Sequence, residues 1–165
     1  MPRPNANTRL FWSVTLGWVA LDILTKHLAL EYLTPGTPVP VLGDVARFTL
    51  AFNRGAAMGL SLGAWSRPAF TVIGLLMLAV LWSIYRSMPP ERRVRIVLLA
   101  LITGGAVGNL IDRVRWSNGV VDFIDVGVGS TRFWTFNVAD MGISVSAILL
   151  ALIWGREGKE ATQPD

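Results

Sequence analysis

Ile96-Val-Leu-Leu-Ala-Leu-Ile-Thr-Gly-Gly-Ala-Val-Gly-Asn-Leu-Ile111 runs without a charged side chain and ends directly on Asp112-Arg113. A helix needs about 20 mostly apolar residues to cross a bilayer. This stretch is read as one crossing, and three others resemble it: about 10–30, 68–85 and 138–154. A buried helix of a soluble bundle can imitate one such run, but hardly four in 165 residues. The expected fold is therefore an all-α membrane protein of four transmembrane helices, forming a single domain over 1–165.

Composition agrees, with 52% hydrophobic and 16% charged residues and a mean hydropathy of +0.49. Cysteine is absent and histidine occurs once, at His27, which removes disulfides, thiolate nucleophiles and almost every transition-metal site. The expectation is no metal and no cofactor. The charge of +4 does not form a long basic stripe with interleaved aromatics, so no nucleic-acid partner is expected. The arginines punctuate apolar runs instead, which suits helix ends facing phospholipid headgroups. Most of the seven tryptophans fall near the ends of the runs, at headgroup level. Arg3 and Arg9 before an apolar run resemble a signal peptide, but no Ala-x-Ala site follows and Asp22 interrupts the run; it is read as a retained first span.

The short turn from Arg86 to Arg95 concentrates four arginines between spans two and three, which makes it cytoplasmic by the positive-inside rule. Both termini then share that side, and the segments 34–67 and 112–136 face outward. The outer segments carry Arg47, Arg54, Arg113, Arg115 and Arg132 as well, so the bias is moderate. Thr34-Pro-Gly-Thr-Pro-Val-Pro40 is turn-rich, and Val41 to Phe52 has the β-branched and aromatic content of short strands. A small extracytoplasmic β-containing cap is expected there, with an outer loop between spans three and four. Residues 157–165 read as a short disordered tail.

Asp22 and Lys26 stand i, i+4 on one face of the first span. A central Asp or Lys costs roughly 3 kcal/mol on an insertion scale, so the two should pair and face the bundle. They are read either as a structural ion pair that fixes packing or as contacts for a substrate headgroup. Intramembrane Asp and Lys also mark ion pathways, so a small membrane transporter or proton-coupled carrier using Asp22 and Lys26 is the alternative function. Gly104 and Gly108, like Gly55 and Gly59, have the small-xxx-small spacing that lets helices approach closely.

Polar residues gather in Phe52-Asn-Arg-Gly-Ala-Ala57, Gly108-Asn-Leu-Ile-Asp-Arg113, Val120-Val-Asp-Phe123 and Phe136-Asn-Val-Ala-Asp140, most of them at the outer ends of spans. With Asp22-Ile-Leu-Thr-Lys26, and in this order, they resemble the signal peptidase II family along essentially the whole chain. Met58 stands where that pattern has a bulkier aromatic, and the linker Val114 to Gly119 is slightly longer than usual. The resemblance implies a bacterial inner-membrane aspartyl endopeptidase with Asp122 and Asp140 as the catalytic pair. It implies a lipid-modified prolipoprotein as substrate, cut just before its diacylglyceryl cysteine, inhibition by globomycin, and an active site near the outer face. A monomer is expected.

On that basis the two aspartates share one proton and activate a water, one as base and the other polarising the scissile carbonyl. Asn53, Gly108, Asn109, Arg113 and Asn137 are the candidates to bind substrate or support the site; the polar side chains either hold the substrate backbone or satisfy buried backbone groups. Asp22, Lys26 and Asp112 are structural candidates, with Asp112 salt-bridged beside Arg113. Asp44 and Asp125 are expected to be exposed loop residues.

Overall fold

The computed structural model describes residues 5–55 and 60–160. The expectations at Arg3, Ala56, Ala57, Met58, Gly59 and 161–165 lie outside them. Four helices, α1 (Ala6–Tyr32), α2 (Ser66–Arg86), α3 (Arg93–Arg115) and α4 (Val138–Glu160), are joined with four strands: β1 (Val39–Leu42), β2 (Ala46–Asn53), β3 (Val120–Val128) and β4 (Thr131–Arg132). Among the described residues, three helical stretches are long and apolar enough to cross a membrane: Gly63–Arg86, Arg93–Arg115 and Val138–Glu157. The 27-residue α1 is also long enough, but Arg9, Asp22, Lys26 and Glu31 dilute its apolar character.

The helices run past the apolar runs at every end except the start of α4, by one residue at the end of α2 and by up to six at the end of α4. Stopping a helix at the hydrocarbon edge would leave its terminal N–H and C=O groups unpaired, so continuing it is favoured. Two expectations change as a result. Residues 112–115 belong to α3 rather than to the outer segment, and the tail expected to be disordered from 157 continues as helix to Glu160.

The helix α3 is central and packs against α1, α2 and α4. Phe11, Leu81, Leu99 and Leu150 from all four helices close a core around it. The approach is close because α3 is glycine-rich where the others cross it. A methyl at Gly104 would sit 3.0 Å from Thr15 O and Trp18 Cβ, and one at Gly105 would collide with the Ala139 carbonyl. These contacts fit the small-residue spacing.

At the end away from the α2–α3 turn the strands form one antiparallel sheet in the order β1-β2-β3-β4. Both outer segments contribute to it, since β2 pairs with β3, for example Arg47 opposite Asp125 and Asn53 opposite Val120. Alternation along the strands turns Leu50, Val121 and Phe123 into a second apolar cluster with Ala29 of α1, which seats the sheet on the bundle. Asp125 is not an exposed loop residue. It is a buried strand residue, held by Arg47 at 2.8 Å, Thr49 at 3.0 Å and Arg132 at 2.8 Å. Asp44 is exposed, as expected.

Candidate active site

The chain leaves β4 and runs back beside β3. The amide of Phe136 donates to Ile124 O at 3.0 Å, and the Phe136 carbonyl accepts from Phe123 N and Ile124 N at 3.0 and 2.8 Å. That clamp sets the start of α4 against the middle of β3. The next residues, Asn137-Val-Ala-Asp140, form a reciprocal helix cap: Asp140 N donates to Asn137 Oδ1 at 2.9 Å, and Asn137 N donates to Asp140 Oδ2 at 3.3 Å. Asp140 is thereby fixed in the first turn of α4 while Asp122 points from β3 toward the same asparagine.

Asn137 Nδ2 donates to Asp122 Oδ1 at 2.7 Å and lies 3.1 Å from Asn109 Oδ1 and 3.2 Å from Val121 O. Asn109 Nδ2 donates to Asp140 Oδ1 at 2.8 Å. Two aspartates 18 residues apart (140 minus 122) in the sequence are thus joined through two asparagine amides. Asp122 and Asn137 are buried and Asp140 is half-buried.

Burial pushes the Asp122 carboxyl up from 3.8 to about 7, and the negative charge of Asp140 adds to it; the amides of Asn137 and Asn53 and the charge of Lys26 pull the other way. Removing a carboxylate from water and setting a like charge beside it both favour the protonated acid.

Behind Asn109 lies a buried ionic cluster. Lys26 Nζ is 2.7 Å from Asp22 Oδ2, 2.9 Å from Asp112 Oδ2 and 3.1 Å from Asn109 Oδ1. Asp22 also accepts from Ala139 N at 2.9 Å, and Asp112 from Val121 N at 3.1 Å, so α1 and α3 each hold the backbone beside one aspartate of the pair. The partner of Asp112 is Lys26, not Arg113. Adjacent residues on a helix point about 100° apart, so sequence neighbours there do not face one another. A methyl at Gly108 would collide with the Asp22 carboxylate, which makes this glycine part of the cluster's geometry.

Arg113 donates to the carbonyls of Asn109 at 3.2 Å and Gly55 at 3.3 Å, and Asn53 Oδ1 accepts from Gly55 N at 3.0 Å. Both side chains are engaged with backbone. His27 is exposed and 3.7 Å from Glu31. The cluster of Arg47, Thr49, Asp125 and Arg132 was missed by sequence reasoning, although Arg47 and Thr49 alternate on one face of a strand, which is a usable signal.

The profile of the signal peptidase II family, described as "Signal peptidase (SPase) II", matches residues 14–155. The chain belongs to this family. Lipoprotein signal peptidases with similar sequences include those of Hydrogenovibrio crunogenus, 38% identical over 85% of this chain and 84% of the relative, and Mycobacterium avium, 40% identical over 92% and 81%. A solved bacterial membrane enzyme superposes with a TM-score of 0.78 at 26% identity, covering 94% of this chain and 93% of that one. A second gives 0.77 at 28% identity over 87% and 91%. The family makes this chain an integral membrane protease of lipoprotein processing, and the carrier alternative is not favoured.

Proposed function

We propose that this chain removes the signal peptide from diacylglyceryl-modified prolipoproteins as an aspartyl endopeptidase, cutting before the lipidated cysteine with Asp122 and Asp140. The observation that carries this reading is the amide bridge. Asn137 binds Asp122 through its side chain and Asp140 through its backbone, which ties two carboxyl groups from different elements to one residue. One proton is held by the pair: Asp122, raised to about 7, supplies it to polarise the scissile carbonyl, and Asp140 accepts a proton from the attacking water. The titration belongs to the pair as a unit.

The membrane placement follows the same reading. The helix α1 is the fourth span, its two central charges turned inward against α3 and α4, since Asp22 and Lys26 are buried in a mutual pair. The α2–α3 turn with its arginines and both termini face the cytoplasm, and the sheet and the aspartate pair lie at the outer face of the bacterial inner membrane. Acyl chains of the substrate stay in lipid while the peptide meets the pair at the boundary. Asn53 and Arg113 are poised beside the pair, their backbone hydrogen bonds near Gly55 fixing where their remaining donors point. A monomer serves this function, and globomycin is the expected inhibitor.

Cleavage of a diacylglyceryl-modified prolipoprotein by Asp122→Asn and Asp140→Asn, each reconstituted and shown to fold, tests the assignment. Both variants should lose turnover by about 100-fold or more. Wild-type rates in either would end the dyad reading.

A further inference from the structure

A cleft of about 400 Å³ opens at the sheet end of the bundle, outside the aspartate pair, lined by Arg54, Ser66, Arg67, Asn118 and Gly119 among others. Packing holds two parts of its wall. Gly119, at φ 98°, lies where a Cβ would collide with the Asn53 backbone, so the start of β3 is pressed against the end of β2. Arg67 donates from Nε to Arg113 O at 2.6 Å and from Nη2 to Val114 O at 3.0 Å, which fixes the plane of its guanidinium at the end of α3.

The charge here is unbalanced. At the sheet, by contrast, Arg47 and Arg132 are paired with Asp44 and Asp125. Arg54, Arg67, Arg113 and Arg115 have no ion-pair partner among the described residues, and residues 56–59 contain no acid. Two exposed guanidinium groups on one cleft match a phosphate, which they can bind through paired N–H donors.

The surroundings select the kind of phosphate. The helix α2 packs mainly against α3, and meets α1 through Trp82 and Tyr85 near its C-terminal end, while its outward side carries exposed Val72, Leu75 and Leu76 below an exposed Trp65. A ligand whose anionic end enters the cleft can lay apolar chains along that surface, with Trp65 at headgroup level. A free anion or a soluble acidic peptide has no use for it. We propose that the cleft seats the phosphate of an anionic phospholipid, with Arg54 and Arg67 as the binding pair and the acyl chains along α2. This goes beyond the peptidase reading and does not depend on it.

Spin-labelled phosphatidylglycerol and phosphatidylcholine, each introduced into neutral vesicles containing the full chain, report the fraction of lipid immobilised by the protein. A basic side chain near the surface favours anionic lipid by about fivefold. Wild type should retain phosphatidylglycerol on the order of tenfold over phosphatidylcholine, Arg54→Gln should lose about fivefold of that, and Arg54→Gln with Arg67→Gln should abolish it. Arg67→Lys should keep most of it, which separates lost charge from a disturbed α3 end. Equal retention of the two lipids by wild type, or unchanged preference in Arg54→Gln, overturns the proposal. So does full displacement of phosphatidylglycerol by millimolar inorganic phosphate or by a soluble acidic peptide, which would mark a site for a small anion or a peptide. The readout is lipid retention, so it stands or falls separately from cleavage.

Discussion

Asp122→Asn separates the cost of burying a carboxyl group from the catalytic use proposed for it. The folded chain raises this group from 3.8 to about 7, so between those values it binds a proton that the unfolded chain releases. Its stabilising contribution is therefore full below about pH 4 and lost as the pH climbs to about 7. The interval is about three pH units at about 1.4 kcal/mol each, so this one side chain makes wild type about 4 kcal/mol less stable at neutral pH than in acid. Asparagine has the same shape, cannot ionise, and keeps the Oδ1 acceptor that Asn137 reaches at 2.7 Å in wild type. Melting of both proteins in detergent across about pH 4 to 8 should show the variant gaining on wild type by about 1.4 kcal/mol per pH unit up to about pH 7, then levelling off. Prolipoprotein cleavage should meanwhile fall by about 100-fold or more. A stability difference that stays constant with pH, or that favours wild type at neutrality, would refute the argument that burial and the charge of Asp140 dominate at this group.

Lys26→Met leaves Asp22 and Asp112 facing each other without their shared cation, and should destabilise the chain by about 3–5 kcal/mol, measured as melting temperature in detergent; adding Asp22→Asn should recover part of the loss. Asn137→Ala removes the amide between the aspartates and should cost about 1–3 kcal/mol of stability, with the alkaline limb of the pH–rate profile displaced as well, a change that a merely structural role would not produce. Burial raises the Asp125 carboxyl, but bonds from Arg47, Arg132 and Thr49 outweigh it and hold the group below its usual value. The stability it contributes is present above about pH 4 and lost as the pH falls through its lowered value. Asp125→Asn should accordingly speed amide exchange in β2 and β3 at neutral pH, with the difference from wild type shrinking in acid.

Length and hydropathy were enough to locate the helices, because an apolar run of membrane length has few other uses. Their ends were not legible, since nothing in a run of Leu and Ile says how far the backbone continues as helix beyond it. The sheet was legible as strand-forming composition in 41–52 but not as a pairing, because β2 meets β3 across more than 60 residues of chain and composition carries no register. Asp125 shows the same limit from the other side: its neighbourhood in sequence is loop-like, whereas the strand pairing that sets Arg47 opposite it, with Thr49 and Arg132, encloses it. Asp112 was assigned to its neighbour Arg113, while Lys26, which is 86 residues away (112 minus 26), takes the pairing. The pair Asp122 and Asp140 was singled out by motif and resemblance. The reason they converge, the clamp of Phe136 on β3 followed by the Asn137–Asp140 cap, combines a local signature with a long-range contact.

Hydrogen-bond polarity explains why asparagines stand between the two groups of carboxylates. Lys26 has only donors, so Asn109 must turn its carbonyl oxygen toward Nζ, and its amide nitrogen then necessarily faces Asp140. The same oxygen also faces Asn137 Nδ2, whose shortest bond is to Asp122, while Asn137 Oδ1 is committed to Asp140 N. Neither amide can flip without setting donor against donor. A buried lysine far from the aspartate pair in sequence thus fixes which way two neutral side chains point, and through them supplies each aspartate with a donor. Aspartate at either position would add a third negative charge beside the pair, and leucine would leave both carboxyl groups without their donors. An amide holds the two carboxyl groups in place without adding a charge beside them.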